Sequence, residues 1–370
     1  MADKCNKKSF WGELKKRAHF WKKTKKYPLL WRALKVYCIT KILHRPVVKY
    51  IDLAIDYTCN LKCKHCFASR FNIQKKRKMN IEDYRKLRKQ CEKLGVLHIN
   101  FQGGEPLIYK ELNEIISAFS WGNKFFLSLT TNGIFATRQR LHELKSLGID
   151  QIVLSIDTID PQEHDRFRGV KGTFDAAWQA LENAQKEGLN VSVNVCLNHK
   201  NITTAAGVVG LLERLCSRGI RVNPIFAAAV GRWQDCLDVL LTEEDIAFYN
   251  KLHNKFNNLQ RDVDASWVQQ GCSAIREQIY ITPYGDIMPC PFIHVTVGNL
   301  FEQDLHTIIS KAMNITFFKK YNKKCWVSEE RDFIKKYNLY LSRALEIPIH
   351  INDCLELFSK QILKSKEKES

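Results

Sequence analysis

Acidic residues are scarce at one end of this chain. The first 50 residues hold only Asp3 and Glu13 against 15 Lys and Arg, so +13 of the formal +19 falls there. The rest of the chain is mildly basic, which argues against a nucleic-acid surface over the whole protein and narrows the question to what this segment touches. No apolar run reaches the roughly 18 residues that a membrane-spanning helix needs. A clean apolar h-region is also missing near the charged N-terminus, so no secretory signal is expected. Thirteen cysteines in 370 residues are too sparse for a disulfide scaffold. Several of them cluster, which favours metal chemistry in a reducing cytoplasm. The expected location is therefore cytoplasmic, with peripheral contact at the inner face of the membrane left open. Hydrophobic residues make up 45% of the chain, enough to bury a real core, and the length fits one large catalytic domain plus a smaller one.

The sequence centres on Asp56-Tyr57-Thr58-Cys59-Asn60-Leu61-Lys62-Cys63-Lys64-His65-Cys66. Three cysteines at C-x3-C-x2-C follow the apolar run Ile51 to Ile55, which reads as a buried strand. Clustered thiolates select zinc, Cu(I) or iron–sulfur clusters. A cubane held by only three cysteines has one iron without a protein ligand, free to bind a small molecule. Three other readings compete. A structural zinc site wants four ligands, and His65 is the only nearby fourth. A redox pair Cys63-x2-Cys66 leaves Cys59 unexplained. Three buried structural cysteines in one loop would be a coincidence.

Ahead of this loop, Phe10, Trp11, Leu14, Ala18 and Trp21 recur at helical spacing among lysines. After Tyr27-Pro28 the pattern continues through Leu30, Trp31, Leu34, Tyr37, Cys38 and Ile42, with Pro28 suited to a helix start. Such a basic amphipathic extension suits either an anionic membrane surface or a helix packed on the core with a solvated face; RNA contact is weaker. From residue 50 strand-like runs appear at 51–55, 98–102, 126–131, 151–156, 191–197 and 220–226. Helices are expected over 81–94, between the Asn80 cap and Gly95, and over Thr137–Leu147, Thr173–Glu187 and Asn201–Ser217. A further one runs from the Thr242-x-x-Asp245 cap to about Asn257. Alternating strands and helices predict an α/β fold with a parallel sheet, and six units fall two short of a closed eight-fold barrel.

Other motifs fall at the C-terminal ends of these strands, where such sheets bind ligands. Gly103-Gly104-Glu105-Pro106 follows the second strand, and paired glycines let the backbone approach a ligand closely; alone it would read as a tight turn. Thr131-Asn132-Gly133 ends the third and can be a simple turn. Ser155-Ile156-Asp157 ends the fourth; period two puts Ser155 and Asp157 on one side of the sheet, or Asp157 caps the next helix. Arg168, in His164-Asp165-Arg166-Phe167-Arg168-Gly169, carries a fork suited to carboxylates, or makes an exposed ion pair. Further on, a hairpin around Tyr284-Gly285-Asp286 would bring Cys272 and Cys290 together. Only Cys325 and Cys354 lie downstream. Cys5, Cys38, Cys91, Cys196, Cys216 and Cys236 are scattered and read as small apolar core residues.

The cysteine spacing, with Asn60 and the aromatic His65, resembles the cluster motif of the radical S-adenosylmethionine (SAM) superfamily over roughly residues 50–355. The resemblance implies a partial, open (β/α)6 TIM-like barrel over 50–265, behind a basic helical extension over 1–49. It implies a small SPASM/Twitch-like auxiliary domain over 266–360 and leaves 361–370 as a disordered tail. It implies that Cys59, Cys63 and Cys66 hold a 4Fe–4S cluster whose fourth iron is chelated by SAM. Gly103, Gly104, Glu105 and Pro106 would meet the methionyl amino group, Asn132 would line the pocket and Ser155 would contact SAM. Asp157 would lie near ribose or substrate, and Arg168 would pair with the SAM carboxylate. Asn194, Gly231-Arg232 and Gly298-Asn299-Leu300 are further family-like marks. C-x12-G-x4-C resembles the opening of the SPASM pattern, but its dense C-x2-C-x5-C-x3-C group is absent. At most one auxiliary 4Fe–4S cluster then fits, from Cys272, Cys290, Cys325 and Cys354.

The expected activity is one-electron cleavage of SAM to methionine and a 5′-deoxyadenosyl radical that takes a hydrogen from the substrate. A peptide or protein is the first expectation for that substrate and a small metabolite the next; a lipid or a cofactor precursor at the membrane is the alternative. A flavodoxin or ferredoxin would supply the electron. A non-catalytic zinc or iron–sulfur module is the reading from another class.

Overall fold

A computed structural model describes residues 26–71, 76–261, 263 and 271–358. The expected helix over Phe10 to Trp21 and the expected disordered tail 361–370 lie outside these residues.

Helix α1 (Tyr27–Lys41) carries Pro28 in its first turn, where a missing N–H costs nothing. Its Leu29, Ala33 and Val36 pack on Leu97 and Phe126. Two cations fasten it to the barrel. Lys26 Nζ donates to Asp150 Oδ2 at 2.6 Å and to the Phe125 and Gly148 carbonyls. Arg32 donates to the carbonyls of Glu92 and Val96. These partners lie at the starts of strands, so α1 sits across the N-terminal end of the barrel.

The alternation expected from the sequence follows. In chain order it runs β1 (Tyr50–Asp56), α2 (Ile81–Leu94), β2 (His98–Gly103), α3 (Leu112–Ser120), β3 (Phe126–Thr131), α4 (Arg138–Ser146) and β4 (Gln151–Ser155). Next come α5 (Pro161–Arg168), α6 (Thr173–Lys186), β5 (Asn190–Leu197), α7 (Gly210–Ser217), β6 (Arg221–Phe226) and α8 (Glu243–Lys255). Strands β1 to β6 pair in that order, all parallel. Local chemistry sets the helix ends. Asn80 and Asp83 form a capping box on α2, which Gly95 closes in the left-handed conformation. Thr242 and Asp245 do the same for α8. Helix α7 begins later than the expected Asn201. The side chains of Asn198 and Asn201 hold 198–201 as a turn, and a single π-helical turn over Ala205–Val209 precedes the α-helix. Polar side chains that satisfy local backbone groups compete with helix in this way.

The rest of the chain extends the same sheet. Strands β7 (Gln278–Ile281) and β8 (Asp286–Met288) form the expected hairpin, Tyr280 opposite Met288. After β9 (Val295–Thr296), β10 (Gly298–Asn299) pairs with β8. Helices α9 (Leu305–Met313) and α10 (Arg331–Arg343) and strand β11 (Ile349–His350), paired with β9, complete the described fold. The sheet order is β10-β8-β7-β1-β2-β3-β4-β5-β6. Strand β7 runs parallel to β1, Ile51 beside Ile279 and Leu53 beside Ile281.

Side chains alternate across each strand. On the helix side Ile51, Leu53, Ile99, Phe101, Leu127 and Leu129 are fully buried. The inner side is polar where a closed barrel would be filled by branched apolar residues. Asp52 accepts from Tyr50 and from Asn100, both at 2.8 Å. Asn100 accepts from Ser128 at 2.9 Å, and Ser128 meets His98 at 2.7 Å. These side chains line a cavity of about 1470 Å³ that runs from the strand starts to the loops above them.

Candidate active site

The loop after β1 is held by backbone contacts on three sides. From β2, Gly104 N donates to Asp56 O at 2.8 Å and Glu105 N to Thr58 O at 2.9 Å. A Cβ on Gly103 would lie 2.0 Å from Asp56 O, and one on Gly104 would lie 2.1 Å from Thr58 O. The glycine pair therefore admits the chain's own cysteine loop, whereas the sequence suggested close approach of a ligand. From the end of α5, Phe167 O accepts from Lys64 N at 3.0 Å, and a Cβ on Gly169 would meet Lys62 O at 2.8 Å. From the segment after β6, Arg232 N donates to Cys66 O and Arg232 Nη1 to Cys63 O, both at 3.1 Å. A Cβ on Gly231 would lie 2.2 Å from Cys66 O.

Clamped in this way, Cys59, Cys63 and Cys66 line the mouth of the cavity together with Gly103, Gly104, Asn132, Ser155, Asp157 and Arg168. Glu105 and Pro106 do not. Glu105 is buried and ties two loops together: Oε1 accepts from Leu107 N and Thr131 Oγ1 at 3.0 and 2.8 Å, and Oε2 from Asn132 N at 2.8 Å. Burial raises its pKa, and these hydrogen bonds offset part of the rise. Asn132 Nδ2 donates to Asn60 Oδ1 at 2.9 Å, which joins the third strand's turn to the cysteine loop.

Asp157 and Arg168 form a buried pair, Nε to Oδ2 at 2.7 Å, and Asp157 Oδ1 accepts from Cys196 N at 2.9 Å. Burial alone would raise the Asp157 carboxyl, but the Arg168 guanidinium foremost holds it below the usual carboxylate range, helped by the Cys196 amide. Burial would lower Arg168; Asp157 and then Cys63 more than reverse this. Arg168 Nη1 lies 3.9 Å from Cys63 Sγ, so a guanidinium faces one of the three sulfurs. Asp157 accepts with both oxygens inside the protein, which orients Arg168.

His65, between two of the cysteines, stacks on Phe167 at 4.5 Å and 12° and tilts against Trp233 at 5.7 Å. Burial foremost, then Arg168, lowers it to about 3, so the ring is neutral, and its Nδ1 is buried without a partner. This aromatic box was not legible in the sequence, because Phe167 and Trp233 lie on distant elements.

A second sulfur group opens on the same cavity. Cys272, Cys290 and Cys325 all line it. Burial raises the Cys290 thiol, with Cys272 and Cys325 next. Backbone contacts place its neighbours: Cys272 N donates to Asn322 O at 2.7 Å and Cys325 N to Glu329 Oε2 at 2.8 Å. Cys354 does not line the cavity. It is buried in the 3-10 segment Ile351–Phe358, its sulfur 3.7 Å from the His350 carbonyl, and burial and then Asp353 push its thiol to about 12. The Gly298-Asn299 mark is structural, since Asn299 Nδ2 donates to Tyr284 O and Asp286 Oδ1 and closes the hairpin. Of the cysteines expected in the core, Cys91 and Cys196 are buried, while Cys38, Cys216 and Cys236 are half-buried.

The donor chemistry fits a cationic, sulfur-seeking group. Burial foremost raises Cys59 to about 11, and Cys63, Glu105 and Cys66 add to the rise. Cys66 is raised by burial and by Cys63. Because the thiols raise one another, ionising all three requires a cation to offset them, and iron would do so.

Residues 55–209 match the radical SAM superfamily, and residues 272–327 match SPASM, an iron–sulfur cluster-binding domain. The chain is 34% identical over 155 residues to an Fe-coproporphyrin III synthase of Methanosarcina barkeri, covering 42% of this chain but only 38% of that protein. It is 32% identical over 304 residues to a probable GTP 3′,8-cyclase of Methanococcus maripaludis, covering 78% of this chain and 97% of that one. Its fold is similar to that of Streptococcus suis SuiB bound to the precursor peptide SuiA, with a TM-score of 0.59 and 18% identity, covering 81% of this chain and 76% of SuiB. With a matching family model and a relative 32% identical over nearly its whole length, the chain belongs to the radical SAM superfamily.

Proposed function

We propose that the protein is a radical SAM enzyme whose N-terminal cluster is held by Cys59, Cys63 and Cys66. The observation that carries this is the placing of three cysteine sulfurs, on a loop clamped from three sides, at the mouth of one deep cavity. A 4Fe–4S cluster held by Cys59, Cys63 and Cys66 would supply the electron for reductive cleavage of bound SAM to methionine and a 5′-deoxyadenosyl radical, the species that would take a hydrogen atom from the substrate. A small one-electron donor of the flavodoxin or ferredoxin kind supplies the electron.

The chain's own residues position and shield. Arg168, oriented by Asp157, keeps a cation beside Cys63 and a fork for a carboxylate. Asn132 and Ser155 offer hydrogen bonds to a polar cofactor. Cys272, Cys290 and Cys325 hold an auxiliary cluster on the same cavity, and Cys354 takes no part. The polar inner walls, Asn100, Ser128 and Thr130 among them, favour a substrate rich in amide or hydroxyl groups. We take this to be a peptide segment first and a polar metabolite second.

Anaerobic reconstitution tests this. The protein should take up about eight irons, four per cluster, and release 5′-deoxyadenosine from SAM with dithionite. Changing Cys59, Cys63 and Cys66 to Ala should halve the iron and abolish release. C290A should lose the other half, and C354A should lose none. Protein that holds zinc and never turns SAM over would sink the reading.

A further inference from the structure

Helix α1 is apolar on two opposite faces. Leu29, Ala33, Val36 and Thr40 face the barrel. At 100° per residue, Tyr27, Leu30, Trp31, Leu34, Cys38 and Ile42 fall on the other side, within an arc of about 120°. Most of that side is open to solvent among the described residues: Tyr27 is 72% exposed, Trp31 73%, Leu34 52% and Ile42 67%, with Cys38 half-buried. A helix with apolar residues all round is ordinarily covered on both sides. Large apolar side chains gathered on one exposed surface mark a contact site.

The charges around the stripe indicate what covers it. Residues 14–50 contain no Asp or Glu and 12 Lys or Arg. The first turn of α1 also lacks an acid, although a helix N-terminus favours one. Lys26 and Arg32 are spent on the barrel. On the helix, Lys35 borders the stripe and Lys41 lies within it; Arg45 follows past the helix end, and all three are exposed. A second copy laid on this face would set like charges against each other. So would the chain's own segment 15–25, which carries six Lys or Arg and no acid. An anionic lipid surface instead neutralises all of them, and Trp and Tyr are the aromatics that settle at the headgroup level.

We propose that α1 docks the protein on anionic membranes through Tyr27, Leu30, Trp31 and Leu34, with Lys35, Lys41 and Arg45 at the headgroups. No described helix is long and apolar enough to cross a membrane, so the contact is peripheral. Leu97 and Phe126, on which α1 packs, also line the floor of the cavity. The membrane would therefore lie under the barrel, opposite the cysteine loop. The proposal does not depend on the radical chemistry and is tested without iron turnover.

Flotation of the full-length protein with vesicles is the test. Vesicles of phosphatidylcholine with 30% phosphatidylglycerol should bind it at least tenfold better than phosphatidylcholine alone, and 0.5 M salt should weaken the binding. The double variant Trp31→Ser/Leu34→Ser removes only exposed side chains, so its thermal midpoint should be unchanged; its partition onto anionic vesicles should fall about tenfold. Lys35→Glu/Lys41→Glu should fall similarly. Equal binding to both vesicle types, or a serine variant that binds like wild type, overturns the proposal. So does a wild-type dimer in solution that the serine variant turns into a monomer, because a second copy then covers the face. Tight binding to a homopolymeric RNA that displaces the vesicles and ignores the serine changes also overturns it.

Discussion

Gly103, Gly104 and Gly231 are explained by the backbone that lies opposite them. Gly103 and Gly104 were legible in the sequence as a place where something comes close, but not as to what. Their partners, Asp56 and Thr58, are nearly fifty residues away, and a residue pattern does not record distance in space. With a Cβ 2.1 Å from Thr58 O, Gly104→Ala must push the cysteine loop outward. Overpacking of this kind costs about 1–3 kcal/mol. The expected result is a lower denaturation midpoint, together with loss of iron from the Cys59 site and retention at the Cys272 site, read by iron counting and electron paramagnetic resonance. Asp157 and Arg168 show the same limit. Their residue types indicated a carboxylate and a fork but not that the two would pair with each other.

Elements were more legible than contacts. All six barrel strands and the caps at Asn80 and Thr242 follow from periodicity and short-range chemistry, which the sequence carries locally. Helix α7 was misjudged at its start because Asn198 and Asn201 favour a turn. That α1 packs on the core was one of the readings open in the sequence, but its attachment point was not legible, since it rests on Lys26 reaching Asp150, 124 residues on. Both side chains are less than a tenth exposed. Burial raises Asp150, and Lys26 opposes the rise. Lys26→Met would strand that carboxylate, and breaking one side of a buried pair costs about 3–5 kcal/mol. The urea midpoint should fall accordingly, whereas Lys26→Met combined with Asp150→Leu should recover most of the loss.

For the whole molecule, the polar barrel interior governs the response to acid. His98 is half-buried on its inner side, and loss of water around the ring first, then Arg221 and Lys26, lowers its pKa to about 3, against 6.5 when free. Between those values the unfolded chain binds a proton that the native ring refuses. Stability therefore falls as pH drops, by up to about 1.4 kcal/mol per pH unit for this group. His98→Gln keeps a partner for Ser128 and removes the titration. Urea melts from pH 8 to pH 4 should show a shallower acid slope in the variant and no divergence above pH 7. The sequence hinted at this interior only through polar residues in alternate strand positions. Its run-by-run apolar pattern reports the helix-facing side.

Strand β7, contributed by the region that follows the six barrel units, forms parallel rungs with β1 from Tyr50–Gln278 to Leu53–Ile281. The first barrel strand thus borrows its outer neighbour from the far end of the chain. A polypeptide terminated before residue 271 would leave the amide and carbonyl groups on that flank of β1 facing water, a template for sticking to other molecules. Such a fragment should leave a gel-filtration column in the void volume, and the missing piece supplied as a separate chain should bring it back to monomer size.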